Sequence, residues 1–486
     1  MKDKVIEFFK DLCAIPHGSG NCCGVGDYLV RFAQDRGLEY VRDKKGNVLI
    51  RRSAVGSENS SERTVILQGH QDMVCVKTDD CPLDMSRDPL DVRTENGYIY
   101  AKGTSLGADD GIGVAMILAV LDDGTNPHPP IEALFTVDEE TGMSGAAAFD
   151  TTLLVGKKFI NLDSEEEGVV TTACAGGERL DVRIPLSLNV FGKNGQALTE
   201  MSFVKIQVSG LAGGHSGCDI HKGRLNALRV ITDLLGKISD FDICLAEYGG
   251  GRFDNVICSD AYAVILVDPS KKNALLSHLY EIKDKAFLGY VKIEKGISVD
   301  ISTSDGSYRG KGFALGIKET REFIEAMKNI PQGVTLMMQE RPDCVDTSMN
   351  LGTAVMTCNE LKLTFSLRSS CDERRKELEK RVTDAVSDIT GASWNVRDPY
   401  PAWQYAVSSP LRDTLCASYK ELFGSDMETA VTHGGLECGY FASRIKGCEL
   451  VSIGPQIDDI HSVKEKIAID SVDRCIKLLI KTLENL

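Results

Sequence analysis

Histidines and carboxylates directly follow several apolar, β-branched segments of this chain. The side chains concerned are His70, Asp72, Glu139, Glu140, Asp163 and His461. The segments that precede them are residues 65–69, 131–137, 158–162 and 449–454. Residues i and i+2 of a strand point to the same side, so His70 and Asp72 project together. Such a pair is either a metal ligand with the carboxylate that orients it, or a buried ion pair.

Four strand ends of this kind predict one metal site that holds more than one ion. In open α/β sheets, ligands bind beyond the carboxyl ends of the strands. The candidate ligands are His70, Asp109, Glu140, Asp163 and His461. Mixed nitrogen and oxygen ligands suit Zn²⁺, with Co²⁺ or Mn²⁺ as substitutes. Two ions about 3.5–4 Å apart lower the pKa of a water and polarise a carbonyl.

Glu139 and Glu140 are adjacent after a strand and should point in different directions. One can therefore bind metal while the other stays free as a general base. Taken singly, each motif also has a structural interpretation. Residues 138–140 also fit a solvated turn, Asp109 and Asp110 a helix N-cap pair, and His461 a hydrogen-bonded histidine with no ligand role.

Composition excludes several classes of partner. The chain has 486 residues and a formal net charge of −16, which argues against binding nucleic acid or anionic membranes. Its sixteen cysteines include no CxxC spacing, so we expect reduced thiols. No signal peptide or membrane-spanning run is visible, and we predict a cytoplasmic location.

The order of predicted elements indicates an α/β fold with an insertion. Residues 1–186 alternate helix and strand patterns, and residues 398–486 again have an α/β pattern. Between them, residues 187–397 have β-α-β order twice, which is typical of a two-layer α+β module. Asn, Gly, Lys and Ser accumulate at 187–200 and mark the first boundary. We therefore predict a catalytic domain in two parts, 1–186 and 398–486, interrupted by an inserted domain, 187–397.

Taken together, the motifs resemble the M20 family of di-zinc peptidases. Residues 70–72 resemble its HxD motif, 107–111 its GADDG-like loop and 139–140 its EE pair. Further segments resemble the aminoacyl-histidine dipeptidase (carnosinase) subgroup: residues 15–21, 105–113, 213–217 and 433–439. The resemblance covers nearly the whole chain. It implies a mixed sheet flanked by helices, with an inserted lid and dimerisation domain. The predicted insert, residues 187–397, departs from the family pattern because it is larger than the single small lid of typical members.

The resemblance also implies roles for individual residues. His70 and Asp163 would hold one zinc, Glu140 and His461 the other, and Asp109 would bridge them. Asp72 would orient His70, and Glu139 would act as the general base. His215 would stabilise an oxyanion, Arg368 would bind a substrate carboxylate, and Glu437 would meet a substrate amine or cap its loop. An incidental turn histidine and a surface ion pair are the alternatives for His215 and Arg368.

These roles imply a homodimeric metallopeptidase that cleaves dipeptides with a free N-terminus, preferring C-terminal histidine. An N-acyl-amino-acid deacylase or aminotripeptidase on the same site is the nearest alternative. A non-catalytic metal-binding dimer is a second, although Glu139 argues against it. A dinuclear phosphoesterase would need basic phosphate anchors, and the motifs contain none.

Overall fold

The structure, a computed structural model, describes residues 1–56, 60–186, 201–303 and 313–486. The helices of these residues are α1 (Lys2–Cys13), α2 (Cys23–Asp35), α3 (Ala108–Asp122), α4 (Ser144–Ala148), α5 (Ala227–Lys237), α6 (Lys272–Ile293), α7 (Ile317–Asn329), α8 (Asp372–Ser387), α9 (Pro410–Phe423), α10 (Cys438–Arg444) and α11 (Ile469–Asn485). The strands are β1 (Glu39–Arg42), β2 (Val48–Arg52), β3 (Val65–His70), β4 (Val92–Glu95), β5 (Tyr98–Ala101), β6 (Ile131–Thr136), β7 (Lys158–Asn161), β8 (Val169–Cys174), β9 (Gly176–Pro185), β10 (Ser202–Ser209), β11 (Cys244–Gly250), β12 (Ala261–Val267), β13 (Ser298–Thr303), β14 (Gly333–Met337), β15 (Val345–Met356), β16 (Glu360–Ser369), β17 (Ser393–Tyr400), β18 (Glu428–Thr432), β19 (Glu449–Ser452), β20 (Ile457–Asp458) and β21 (Lys466–Ala468).

The chain forms two compact units. The first comprises Met1–Cys174, Trp403–Thr432 and Leu436–Leu486, and the second comprises Ala175–Ala402 and His433–Gly435. β9 belongs to the second unit because it pairs along its length with β16 and also with β17. The unit therefore begins before residue 187. The compositional boundary predicted at 187–200 lies outside the described residues, and the division at 187 and 397 stays a prediction.

The first unit is built on a mixed sheet. Its described strands have the order β1-β2-β6-β3-β7-β19-β8-β18. The central strands β6, β3, β7 and β19 are mutually parallel, whereas β1, β2 and β6 pair antiparallel. α3 packs against α1 and β3. Its residues 108–121 are all buried, because they are apolar or small on every side apart from two aspartates at the start. The predicted α/β class is confirmed.

A second, small sheet in this unit has the order β20-β21-β5-β4. β20 and β21 form a hairpin, with Ile457 opposite Ile467. His461 lies in the loop of this hairpin. The sequence placed His461 after the strand of residues 449–454, but a separate sheet carries it instead.

The second unit is an α+β layer structure. Its described strands have the order β13-β10-β12-β11-β15-β16-β9-β17, with β14 added to β15. Helices α5, α7 and α8 pack against this sheet. The core lies between them and contains Tyr248, Phe323 and Phe365.

In the described part of the chain, no helix combines the length and the apolar character needed to cross a membrane. The structure describes all sixteen cysteines, and no disulfide joins any two of them.

Candidate active site

The predicted site residues of the first unit meet at one edge of its sheet. β3 lies between β6 and β7 and is parallel to both. His70 is the last residue of β3, Glu139 and Glu140 follow β6, and Asp163 follows β7. Parallel strands end at the same edge, so the register brings these side chains together.

Asp109 stands between two histidines. Its Oδ1 lies 3.1 Å from His70 Nε2, and its Oδ2 lies 3.1 Å from His461 Nε2. On the first side, Asp163 Oδ1 is 3.3 Å from His70 Nε2. On the other side, Glu140 Oε1 is 3.0 Å from His461 Nε2. The five residues therefore form two groups, each around one histidine, that share the carboxylate of Asp109.

This donor set fits metal ions. Ligand atoms of His70, Asp109 and Glu140 all lie within 4.8 Å of one another. Hydrogen bonds to Asp109 and Glu140 raise the pKa of His461 to about 11, although burial opposes this. Burial and neighbouring carboxylates raise the pKa of Asp163 well above its usual range. Buried carboxylates that repel one another and stabilise any nearby positive charge are suited to divalent cations, and the histidines add nitrogen ligands.

Two glycines make room for a carboxylate beneath the site. Asp110 Oδ2 accepts a hydrogen bond from the main-chain N–H of His70 at 3.2 Å. A Cβ at Gly69 would lie 2.3 Å from this oxygen, and a Cβ at Gly113 would lie 2.1 Å from Asp110 Oδ1. Asp110 is thus packed against the end of β3, where it helps to hold His70.

The carboxylate of Asp72 lies closer to the backbone N–H groups of the two glutamates than to the ring of His70. Its carboxylate accepts hydrogen bonds from the N–H of Glu139 at 3.0 Å, the N–H of Glu140 at 3.3 Å and the hydroxyl of Ser19 at 2.8 Å. His70 Nδ1 is 2.9 Å from the main-chain oxygen of Asp72 and 3.5 Å from its Oδ1. Burial raises the pKa of Asp72, but the hydrogen bond and charge of His70, followed by the hydrogen bonds from Ser19 and Glu139, lower it to about 2. The backbone carbonyl of Asp72 is therefore the closer partner of the imidazole.

Glu139 has the environment of a proton acceptor. Burial raises the pKa of its carboxyl well above the ordinary range, and the charges of Asp163 and Glu140 raise it further. A carboxylate with a raised pKa is a stronger proton acceptor than an exposed one, which suits a general base.

His215 lies in the second unit, on a loop before α5. Its Nδ1 accepts hydrogen bonds from the N–H groups of Gly217 at 3.2 Å and Cys218 at 3.0 Å. Because Nδ1 is an acceptor, the proton of the neutral ring is on Nε2. Burial, followed by the charge of Arg368, lowers the pKa of His215 to about 4. The ring is consequently neutral at pH 7 and has an Nε2–H donor.

Arg368 is not the surface ion pair that the sequence left open. Its side chain is buried, at 5% exposure, and donates to the hydroxyl of Tyr400 at 2.9 Å and to the main-chain oxygen of His433 at 3.4 Å. Its Nε has no partner. His433 is also buried and shares a hydrogen bond of 2.7 Å with Ser348, while its Nδ1 is unpaired.

Glu437 belongs to the first unit and is fully buried, at 0% exposure. Its Oε2 accepts from Gln68 Nε2 and Thr136 Oγ1, both at 2.6 Å, and its Oε1 has no partner. Burial raises its pKa to about 7. Glu437 therefore ties the start of α10 to β3 and β6.

The sequence did not identify three supporting residues. Ser19 holds Asp72, Asp110 holds His70, and Glu465 binds the start of α3. The sequence pattern favours Asp109 and Asp110 as an N-cap pair, but no side chain of their own segment caps α3. Nothing in a single sequence marks a serine in a glycine-rich loop, such as Ser19, as a supporting residue. The same holds for a glutamate after the last histidine, such as Glu465.

Comparison with known proteins identifies the family of this chain. Residues 66–485 match the model of peptidase family M20/M25/M40. The chain is 33% identical over 482 residues to the cytosol non-specific dipeptidase of Escherichia coli, covering 99% of this chain and 97% of that protein. The aminoacylhistidine dipeptidase of Vibrio alginolyticus superposes with a TM-score of 0.88 at 32% identity, covering 99% and 96% of the two chains.

A more distant structure, aminopeptidase PepT from Bacillus cereus, has a TM-score of 0.57 at 16% identity and covers 100% of this chain and 98% of its own. It shares the fold. The family match and the full-length relatives extend over both units and every candidate site residue from His70 to His461. The chain therefore belongs to peptidase family M20/M25/M40.

Proposed function

We propose that this peptidase hydrolyses dipeptides with a free N-terminus, using two divalent metal ions. The observation that carries the proposal is the position of Asp109, whose two oxygens each face one histidine at 3.1 Å. A carboxylate in this position can bridge two ions. His70 and Asp163 would hold one ion, and Glu140 and His461 the other.

Metallopeptidases of this family use divalent metals, generally zinc. Zn²⁺ fits the mixed histidine and carboxylate ligands, and Co²⁺ or Mn²⁺ would be the expected substitutes. A pair of such ions supplies a water of lowered pKa and polarises the substrate carbonyl.

Glu139 would accept the proton of the attacking water and deliver it to the leaving amine. Its raised pKa suits both transfers. Asp72 would keep Glu139 and Glu140 pointing apart, because its carboxylate binds both of their N–H groups. The same backbone turn would thus position Glu140 to bind metal and leave Glu139 free as the base.

His215 would donate Nε2–H to the oxygen of the reacting carbonyl as negative charge develops there. The two N–H groups at its Nδ1 fix the ring and its tautomer before the reaction begins. A donor held in place in this way lowers the barrier without reorganising during the reaction.

Arg368 would bind the C-terminal carboxylate of the substrate. A buried guanidinium with an unpaired Nε is suited to a carboxylate. Glu437 would support the end of β3 through Gln68. Contact with a substrate amine is the less favoured role, since its side chain is fully buried.

Both full-length relatives are named as dipeptidases, but the names differ in the specificity that they state. One is a non-specific dipeptidase and the other is an aminoacylhistidine dipeptidase. We propose that histidine is preferred at the C-terminal position, carnosine included. A homodimer and a cytoplasmic location also remain predictions.

The test is hydrolysis of carnosine, Ala-His, Gly-His, Ala-Leu, an N-acetylated dipeptide and a tripeptide. The protein is assayed after metal removal and with Zn²⁺, Co²⁺ or Mn²⁺ restored. Glu139→Gln is compared with Glu166→Gln, which alters an exposed residue beside the site. We expect metal-dependent cleavage of free dipeptides, fastest for Xaa-His. We also expect Glu139→Gln to lower kcat at least about 100-fold while still binding metal, as loss of a general base does.

Other results would indicate a different function or specificity. Cleavage of the acetylated substrate alone would identify a deacylase, and preference for the tripeptide an aminotripeptidase. Equal cleavage of Ala-Leu and Ala-His would remove the histidine preference. Metal binding with no cleavage of any substrate would contradict the proposed function.

A further inference from the structure

Glu465 connects two of the segments that carry proposed metal ligands. It lies four residues after His461, where the hairpin loop joins β21. Its side chain is buried, at 3% exposure. Its carboxylate accepts from the N–H groups of Leu106 at 2.8 Å, Gly107 at 3.1 Å, Ala108 at 2.8 Å and Asp109 at 3.4 Å.

These N–H groups are at the start of α3. The first turn of a helix leaves N–H groups without partners inside the helix, and here no side chain of the helix's own start caps them. Gly107 has a φ of 69°, which is the left-handed conformation. Such a turn directs successive N–H groups toward one anion. Glu465, far away in the sequence, supplies that anion.

We propose that Glu465 is a positioning residue of the metal centre, because it fixes Asp109 relative to His461. One carboxylate holds the backbone of Asp109, and the same short loop carries His461. The His461 side chain is 44% exposed, and its Nε2 is placed between Asp109 and Glu140. β21 also pairs with β5, but without Glu465 the hairpin loop and the start of α3 would lose their four shared hydrogen bonds. The two oxygens of Asp109 would then no longer face both histidines.

This inference rests on the proposed function only in taking Asp109 and His461 as ligands of metal ions. It predicts that removing the charge of Glu465 weakens metal binding, whereas removing the charge of a buried carboxylate far from the site does not. Glu132 is the matched comparison. It is 1% exposed on β6, at the end of the strand away from the site, and binds the N–H groups of Val155 and Gly156 at 3.0 Å.

The experiment compares Glu465→Gln with Glu132→Gln. Zn²⁺ affinity is measured by competition with a chromophoric chelator, and the visible spectrum of the Co²⁺-loaded protein is recorded. For Glu465→Gln we expect about 10–100-fold weaker binding of at least one metal equivalent, as loss of a partner outside the ligand set typically causes. We also expect an altered Co²⁺ spectrum and a lower kcat with KM little changed. Glu132→Gln should keep the wild-type affinity and spectrum even where its unfolding temperature falls.

Glu465→Asp provides a second variant if Glu465→Gln does not fold. It keeps the charge on a shorter side chain, so metal affinity should lie between wild type and Glu465→Gln, and excess metal should restore kcat. Unchanged affinity and spectrum in a folded Glu465 variant would overturn the proposal. An equal loss of affinity in Glu132→Gln would also overturn it, since the effect would then be general destabilisation. If the wild type cleaves no dipeptide but Glu465→Gln alone binds metal more weakly, the proposed function fails and the positioning role stands.

Discussion

The buried guanidinium of Arg368 has no counter-charge among the residues that the structure describes. Among the residues that the structure describes, Arg368 donates to a tyrosine hydroxyl and a main-chain carbonyl, and it forms no ion pair. Burying a charge without a partner is unfavourable, so such a group is commonly completed by a ligand. A substrate carboxylate would complete it.

Replacing Arg368 with Met should therefore impair binding more than folding. We expect kcat/KM for a dipeptide to fall about 10–100-fold, the equivalent of one hydrogen-bonded charge. The thermal unfolding temperature should stay level or rise, because an unpaired buried charge is removed. Steady-state kinetics and a thermal melt measure the two effects.

A dipeptide amide, which has no C-terminal carboxylate, is the matched substrate for this variant. Wild type should already cleave the amide poorly, and Arg368→Met should change its rate little. A variant that loses activity on the dipeptide and on the amide by the same factor would show that Arg368 does not bind the carboxylate.

His433 should make folding sensitive to acid. Burial, followed by the charge of Arg368, lowers the pKa of His433 in the folded state to about 3 from an ordinary value of 6.5. Between these values the unfolded chain binds a proton that the folded chain does not. The contribution of His433 to stability is therefore complete above pH 6.5 and is lost as the pH falls toward 3.

Urea unfolding of the metal-free protein at pH 7.5 and pH 5 tests this sign. The free energy of unfolding should fall between the two pH values by more in wild type than in His433→Asn, which cannot titrate there. The difference between the two proteins isolates His433 from the other buried groups. Equal losses in both proteins would mean that the imidazole titrates normally when folded.

Within a helix, the space around a glycine determines whether an added methyl group stabilises or destabilises the protein. A Cβ at Gly113 of α3 would lie 2.1 Å from Asp110 Oδ1 and 2.6 Å from the main-chain oxygen of Leu162. A Cβ at Gly289 of α6 would meet nothing within 4 Å. Both glycines are inside helices, so the difference lies in packing.

We expect opposite effects on stability from the two alanine substitutions. Gly113→Ala should lower the free energy of unfolding by about 1–3 kcal/mol through overpacking. Gly289→Ala should raise it by about 0.5–1 kcal/mol, because alanine restricts the unfolded chain. Chemical denaturation of the metal-free protein measures both. Stabilisation by Gly113→Ala would show that Asp110 moves away without cost.

Across the whole molecule, the proposed metal centre draws ligands from five distant chain segments. The ligands are His70, Asp109, Glu140, Asp163 and His461. Without a cation, the carboxylates among them face one another in a buried site. Ions that bind only the folded state add stability, about 4 kcal/mol when free metal is roughly 1,000 times Kd.

Chelation should accordingly lower the unfolding temperature, and Zn²⁺ should restore it. Asp109→Asn loses the charge of the carboxylate that we propose bridges the ions. In this variant, the increase in unfolding temperature on adding Zn²⁺ should be much smaller. Differential scanning calorimetry of both proteins, with and without chelator, measures the change. An unfolding temperature that is independent of metal in wild type would contradict metal binding by these residues.

Local sequence patterns were sufficient to predict the α/β class, the candidate ligands and the pair Glu139 and Glu140. Those features depend on local patterns: apolar strands of period two, and polar residues placed directly after them. Parallel strands end at one edge, so short-range spacing was enough to indicate that His70 and Asp163 meet. The full length of the resemblance to one peptidase family pointed the same way.

Features that depend on contacts between distant residues are visible only in the tertiary structure. It buried Arg368, fixed the tautomer of His215 and placed His461 in a hairpin of a separate sheet. It also put Glu465 against the start of α3, more than 350 positions away in the chain. A periodic pattern records which face of an element is buried. It does not show which distant carboxylate accepts hydrogen bonds from the first N–H groups of a helix, or which buried cation lacks a counter-charge. Both depend on how the elements pack.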